Sequence, residues 1–198
     1  MTGVRHASRG LTLIELGLVL AVLGVLVTLA VPGFRDFILT QRLKSVQAEL
    51  LTDLQYARSE AASRGQAVTF RVYPGSATTP LSCYIIFVDT AARPSTACDC
   101  TRPEGSRCTG ATATEIRTVL VPASLGLRLT IPPVFQSAVA FDPLNSSILL
   151  SPSNMMRGDE YRVLASIDSA RALQTSVSRA GRASGCVPAG STMGGPAC

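Results

Sequence analysis

The sequence predicts an α+β protein in which one long N-terminal α-helix packs on an antiparallel β-sheet domain. Three observations support this fold class. Residues 11–31 are an almost uninterrupted apolar run, residues 43–61 carry apolar side chains at helical spacing, and eight short strand-like segments follow. The strand-like segments lie too close together for crossover helices, so their pairing should be antiparallel.

The apolar run is the first element. Its 21 residues would form a helix of about 31 Å, enough to span the hydrocarbon core of a bilayer. A secretory signal has a shorter apolar core with a small-residue cleavage site after it. Here the only plausible processing point, between Gly10 and Leu11, precedes the run, so the helix would stay with the mature protein. Pro32 predicts a bend or an end of the membrane portion.

Charge sets the expected orientation. Residues 1–10 contain Arg5 and Arg9 and no acid, so the positive-inside rule places this leader in the cytoplasm. The sequence therefore predicts a leader (1–10), a transmembrane helix (11–32) and a periplasmic globular domain (33–198). We find no repeat and no inter-domain linker. The expected location is the bacterial inner membrane, crossed once.

Cysteine usage agrees with that location. All six cysteines follow residue 80, which is typical of an oxidising compartment and of up to three disulfides. We expect Cys186 and Cys198 to close a C-terminal loop, whereas the pairing among Cys83, Cys98, Cys100 and Cys108 stays open. A metal site at the last three is the alternative, and it would need cysteines alone because the only histidine, His6, lies in the leader.

Past Pro32 the helix pattern becomes amphipathic. Apolar side chains recur at spacings of three and four residues on one face: Leu43, Val46, Leu50, Leu54, Ala57 and Ala61. Charged side chains occupy much of the remaining surface: Arg42, Lys44, Glu49, Asp53, Arg58 and Glu60. With Gly65 as C-cap, the helix is predicted over residues 11–64, its second half lying against a sheet.

Eight strands are predicted from alternating or β-branched runs between Pro, Gly, Asn and Ser turn signals. They span residues 67–73, 83–88, 115–121, 127–131, 138–141, 147–150, 161–167 and 173–178. Residues 89–114 are predicted to form a long loop that a disulfide restrains.

No enzyme chemistry is expected. Without histidine the mature chain cannot form Ser-His-Asp or Cys-His arrangements, and it contains no phosphate-binding glycine motif. The adjacent acids Asp159 and Glu160 suit a solvated turn, and the adhesion-like tripeptide at 157–159 recurs often by chance. No cofactor is expected. The net charge of +5, which loss of the leader would lower to +3, does not by itself imply a polyanionic partner.

The N-terminal motif carries a family resemblance. The run G-L-T-L-I-E-L from Gly10 to Leu16 resembles the class III signal of type IV pilins and type II secretion pseudopilins. The resemblance implies that a prepilin peptidase cuts after Gly10 and methylates Leu11, although phenylalanine is usual at that position. It also makes Glu15 the family's glutamate at the fifth mature position. An acid within a membrane costs roughly 2.5–3.5 kcal/mol near the centre and less near an end, so Glu15 suits an assembly in which a neighbouring subunit's N-terminal amine pairs with it.

Three later segments narrow the resemblance. Residues 55–70, 139–143 and 177–185 resemble the minor pilins and pseudopilins of the FimT/FimU/GspH group. This implies a minor type IV pilin that helps initiate a pilus and supports pilus biogenesis, twitching motility or adhesion. Its partners would be other major and minor pilins, prepilin peptidase and the inner-membrane assembly platform, and after assembly it would lie in a surface pilus. A GspH-type pseudopilin of a type II secretion system is one alternative.

DNA binding is the second alternative. Some FimT-type pilins bind DNA in natural transformation through a C-terminal Gly-Arg-x-Arg motif. Residues 181–184 read Gly-Arg-Ala-Ser, so the second arginine is absent. Arg171, Arg179 and Arg182 are the candidate DNA contacts, and residues 169–198 contain no acid. The competing interpretation is a solvated tail whose arginines cap strand ends.

Overall fold

Helix α1 runs over Leu13–Arg64, 52 residues, in the computed structural model. Thr12 caps its N-terminus, because the Thr12 hydroxyl accepts the Glu15 amide at 3.3 Å. Gly65 follows with φ +62°, the left-handed conformation of a helix C-cap. The predicted C-terminal end is confirmed, and the helix begins two residues later than predicted.

The structure describes residues 12–75, 81–90, 95–122, 126–133, 135, 137–150 and 160–198, without the side chains of residues 29–33 and 122. The chain divides into two units, residues 1–38 and 39–198. In the described part of the chain, no helix holds a stretch long and apolar enough to cross a membrane. The expected boundaries at residues 10/11 and 32/33 stay predictions.

The first part of α1 exposes its apolar side chains. The large ones between Leu13 and Val27 are 53–90% exposed. Charged side chains are nearly absent from this stretch, with Glu15 alone in residues 13–28. This apolar surface is therefore unpartnered within the described chain.

In the second unit, α1 buries the face that its spacing predicts. Leu43, Leu50, Leu54, Ala57 and Ala61 are at most 1% exposed, and Val46 packs against the same core. The amphipathic helix is confirmed, with one correction: Asp53, expected among the solvated charges, is only 2% exposed.

In the part of the chain that the structure describes, nine strands follow the helix, and every pairing between them is antiparallel. They are β1 (Val68–Tyr73), β2 (Leu81–Asp89), β3 (Ala113–Pro122), β4 (Arg128–Thr130), β5 (Ala138–Phe141), β6 (Ile148–Leu149), β7 (Glu160–Ser166), β8 (Ala172–Ser178) and β9 (Ala183–Cys186). All eight predicted strands are present. The ninth was missed because its residues, Ala-Ser-Gly-Cys, have little β-propensity and lie in a region that reads as a turn.

The strands form two sheets rather than the single sheet expected. The five-stranded sheet has the order β3-β2-β1-β5-β6, and the four-stranded sheet the order β4-β7-β8-β9. Ser82 bridges β2 and β4, because its hydroxyl accepts the Leu129 amide at 3.1 Å. A side-chain hydrogen bond therefore connects the two sheets at this point.

The core unites both sheets with the helix. It contains Phe70 from β1, Tyr84 from β2 and Tyr161 from β7, all fully buried. The rings of Phe70 and Tyr84 stack with centroids 5.0 Å apart, and Tyr161 meets Phe70 edge-on at 6.3 Å. The α+β fold class is therefore confirmed.

Candidate functional site

The N-terminal processing residues lie at the edge of what the structure describes. Gly10 and Leu11 fall outside the described residues, as does the tripeptide at 157–159. Glu15 lies in the first turn of α1 with its side chain exposed, where the helix dipole favours a negative charge. Its pairing with a neighbouring subunit remains a prediction.

All six cysteines form disulfides. The structure joins Cys83 to Cys100, Cys98 to Cys108, and Cys186 to Cys198. The last is the pair expected from the sequence, and the other two resolve the pairing that the sequence left open. With no free cysteine, the thiolates that a metal site at Cys98, Cys100 and Cys108 would require are absent.

The Cys83–Cys100 disulfide fastens residues 95–112, here called the disulfide loop, to the outer face of the five-stranded sheet, and the Cys98–Cys108 disulfide closes the loop on itself. Strand β1 alternates core residues with outward residues, and the outward ones hold this loop. Arg71 donates to the Thr96 carbonyl at 2.8 Å, and the Tyr73 hydroxyl donates to the Cys98 carbonyl at 2.8 Å. The Arg71 guanidinium also lies 4.6 Å from the centre of the Tyr73 ring. Burial raises the pKa of Tyr73.

A small second core lies beneath the disulfide loop. It contains Cys83, Ile85 and Phe87 of β2 with Cys98 and Cys100 of the loop, all at most 1% exposed. The loop tip, residues 101–106, is exposed. The disulfides and the β1 contacts therefore present a polar tip on a fixed base.

A charged cluster joins α1 to the five-stranded sheet. Arg117 on β3 contacts two helix acids, with Nε 3.0 Å from Asp53 Oδ2 and Nη2 3.2 Å from Glu49 Oε1. The Tyr84 hydroxyl donates to Asp53 Oδ2 at 2.7 Å. The Asp53 carboxylate raises the pKa of Arg117, whereas burial, with this hydrogen bond, raises the pKa of Tyr84. Glu49 and Asp53 are spaced i, i+4 on one helix face, which was the available sequence signal for the cluster.

The three candidate DNA contacts do not lie together. Arg171 precedes β8, whereas Arg179 and Arg182 follow it. Arg179 lies eight positions after Arg171 along extended chain, about 26 Å at 3.3 Å per residue. Arg171 also binds Asp168, with Nε at 2.9 Å and Nη2 at 2.7 Å from Oδ2. These hydrogen bonds lower the pKa of Asp168, an acid that lies one residue before the acid-free stretch.

Arg179 and Arg182 occupy the exposed turn between β8 and β9. Within it the Gly181 amide donates to the Ser178 carbonyl at 2.8 Å, and the Ser178 amide donates to the Arg182 carbonyl at 3.0 Å. Gly181 is buried with φ +72°, and a Cβ there would lie 2.1 Å from the Ser146 carbonyl oxygen and 3.4 Å from Arg58 Nε. The turn therefore requires glycine at this position, and it brings an arginine of α1 beside it.

The C-terminal tail folds back on the four-stranded sheet. The Val187 amide donates to the Pro196 carbonyl at 2.7 Å, and the Cys198 amide donates to the Val187 carbonyl at 3.0 Å. On the helix side, Gln47 Nε2 donates to the Gln174 carbonyl at 2.9 Å. A cavity of about 150 Å³ lies between Lys44, Gln47 and the tail glycines Gly194 and Gly195.

Comparison with known proteins gives two matches. A family model described as Type II transport protein GspH matches residues 47–181. Among solved structures, the type IV minor pilin FimU of Pseudomonas aeruginosa (strain PAO1) is similar, with 17% identity and a TM-score of 0.46. That match covers 73% of this chain and 87% of FimU. No curated protein matches the chain. The family match covers more than half of the chain and includes α1 from residue 47 and strands β1–β8.

Proposed function

The chain belongs to the GspH family of type II transport proteins, and from that premise we propose that it is a minor subunit of a type IV pilus. Family membership gives it a minor pilin or pseudopilin role. The proposal adds that prepilin peptidase cleaves after Gly10, that the inner-membrane platform assembles the mature chain with other pilins, and that the subunit helps initiate the filament.

The exposed apolar surface of α1 between Leu13 and Val27 carries this proposal. Soluble monomeric proteins rarely expose contiguous apolar patches of more than a few hundred Å², and here the apolar side chains cover every side of the helix. Lipid before assembly and neighbouring subunit helices after assembly would both cover such a surface. We therefore place residues 11–32 in the inner membrane and then in the filament core.

Glu15 gives the proposed assembly a specific contact. It is the single charge among the apolar residues 13–28, and cleavage after Gly10 would create an α-amine at Leu11. A neighbouring subunit's amine would neutralise the Glu15 carboxylate in the low dielectric of a helix bundle. This pairing favours regular stacking of subunits over random association.

The globular unit suits a periplasmic and then extracellular location. Its three disulfides are typical of oxidising compartments. In the proposed filament this unit presents the disulfide loop and the β8–β9 turn on the surface, where they would support adhesion or twitching motility.

Deletion of the gene in its own host tests the proposal against its pseudopilin alternative. Sheared surface pili and secreted proteins are measured in the same cultures, with the complemented strain as control. Loss of pili with normal secretion supports a minor pilin. Normal pili with failed secretion would instead assign the chain to a type II secretion system.

DNA uptake is a second candidate function, favoured by the exposure of Arg179 and Arg182 on one turn. Binding of the full-length chain in detergent to labelled duplex DNA tests it. The Arg179→Ala/Arg182→Ala variant should bind less tightly than wild type, whereas Arg171→Ala, at the other end of β8, should bind as wild type does. Equal binding by all three proteins would exclude this turn as the site.

A further inference from the structure

Arg58 on α1 lies beside the turn that carries Arg182, although 124 positions separate them in the sequence. We propose that Arg58 and Arg182 together form a phosphate-binding pair for the DNA backbone, with Arg58 supplying the second cation that Ser184 does not. This inference rests on the DNA-binding candidate function above and adds to it a residue from a different element of the fold.

The geometry follows from Gly181. Its buried Cα faces the Ser146 carbonyl oxygen and Arg58 Nε, which would lie 2.1 and 3.4 Å from an added Cβ. Arg182 is the next residue, and its amide donates to Ser178 Oγ at 3.3 Å within the same turn. The Arg58 guanidinium and the backbone that carries Arg182 are therefore adjacent.

A main-chain hydrogen bond from β6 holds the turn in place. The Ile148 amide of β6 donates to the Arg179 carbonyl at 3.0 Å, which fixes the β8–β9 turn against the β5–β6 turn. In that second turn Ser146 has φ +56°. A fixed backbone lowers the entropy lost when two arginines engage one phosphate backbone.

The local charges also suit an anion. Among the described residues, no carboxylate forms a salt bridge with Arg58 or Arg182. The acid of the β5–β6 turn, Asp142, uses Oδ1 to accept the Leu144 amide at 2.8 Å. Glu60, two residues after Arg58, pairs with Arg64 at 2.6 Å. Among the described residues, neither arginine of the pair thus has a carboxylate salt-bridge partner that a phosphate would have to displace.

Position 184 is engaged elsewhere. Ser184 Oγ lies 3.2 Å from Ser176 Oγ across the β8–β9 ladder, so its side chain forms a hydrogen bond with the neighbouring strand. The Gly-Arg-x-Arg motif therefore lacks its second arginine in this sequence. In the proposed pair, Arg58 of α1 takes the place of that arginine.

The test measures the salt dependence of DNA binding, because each phosphate contact contributes about 0.9 to the slope of log K against log salt. The full-length chain in detergent micelles is titrated into a fluorescein-labelled 30-base-pair duplex at several salt concentrations, and anisotropy is recorded. Arg58→Gln and Arg182→Gln should each weaken binding and reduce the slope by about 0.9, and the double variant by about twice that. Arg58→Lys keeps the charge and should keep most of the slope.

Arg42→Gln is the matched control, because Arg42 is an exposed arginine on the same helix and its loss changes the net charge equally. An unchanged slope in Arg58→Gln, or an equal loss in Arg42→Gln, would overturn the proposed pair while leaving DNA binding intact. No binding by the wild-type chain would overturn the candidate function and the pair together. Thermal unfolding of each variant shows whether a loss of binding reflects a loss of folding, and in that case Arg58→Lys decides the result.

Discussion

Helix α1 behaves in two different ways along its length. Between Leu13 and Val27 its large apolar side chains are at least 53% exposed, whereas Leu43, Leu50 and Leu54 are at most 1% exposed. The backbone is helical throughout, so local structure does not distinguish the two stretches. Residues 39–64 bury their apolar face within the second unit, whereas the large apolar side chains between Leu13 and Val27 are exposed.

The free energy of side-chain burial shows how large the difference between the two stretches is. Full burial of one Leu, Ile or Val side chain contributes about 1.5–3 kcal/mol. In the second unit that free energy already stabilises the folded chain. In residues 13–28 it is still available for insertion into lipid or for packing against other helices.

A pair of leucine substitutions tests the comparison with the largest expected effect. Leu50→Ala removes a fully buried side chain and should lower the free energy of unfolding by about 2–5 kcal/mol. Leu20→Ala removes one that is 59% exposed and should change it by less than about 0.5 kcal/mol. Urea unfolding followed by circular dichroism gives both values. Equal losses would mean that the two stretches of α1 do not differ as described.

Removal of the Cys83–Cys100 disulfide tests how much this bond stabilises the globular unit. Cys83→Ser/Cys100→Ser opens a link between residues 17 apart in sequence and should lower the free energy of unfolding by about 3 kcal/mol. The contacts of Arg71 and Tyr73 would remain to hold the loop. Urea unfolding of the double variant under oxidising conditions measures the loss, with the oxidised wild type as reference. No loss would assign the docking of the loop to those contacts alone.

Alkaline pH should destabilise the second unit through its buried tyrosines. Burial raises the pKa of Tyr84 and Tyr161 above the unfolded value near 10. Above about pH 10 the unfolded chain loses these protons while the folded chain keeps them, so stability falls as pH rises. Tyr84 and Tyr161 together contribute about 2.7 kcal/mol per pH unit to the slope, and Tyr84→Phe should remove about half of that contribution. Urea midpoints between pH 8 and 11.5 measure it, and Tyr56→Phe, at an exposed site, should leave the slope as in wild type.

Glu15→Ala has the smallest expected effect on stability and acts only in the first stretch. Glu15 is exposed, so the urea unfolding midpoint of the globular unit should equal that of wild type. If the proposed subunit pairing exists, the variant should insert in the membrane normally but enter sheared filaments poorly. Immunoblots of membrane and filament fractions check this. Normal incorporation into filaments would remove the pairing proposed for Glu15.

Most of the fold follows from local patterns. Alternation in β1 and β7 and the spacing from Leu43 to Ala61 depend only on which face of an element meets the core. Local patterns do not predict β9, because it is a strand through its pairing with β8 and its own side chains carry no strand signal. Nor does periodicity show that the strands divide between two sheets, since that division depends on which strands pair over long sequence distances.

The candidate site was less predictable because its contacts are long-range. The arginines near the C-terminus are identifiable in the sequence, but the distance between Arg171 and Arg179 depends on the intervening β8. The proximity of Arg58 to Gly181 depends on how helix and sheets pack. The burial of Asp53 similarly follows from its meeting with Arg117 and Tyr84.

The placement of the disulfides has a mechanical consequence for a subunit under tension. Two of them lie within the five-stranded sheet and its loop, and the third closes the tail beside the four-stranded sheet. None crosses from one sheet to the other, and none reaches α1. A pull along the helix would therefore load the Glu49–Asp53–Arg117 cluster and the apolar packing, both of which re-form after they break, while the covalent links keep each sheet's loops intact for that recovery.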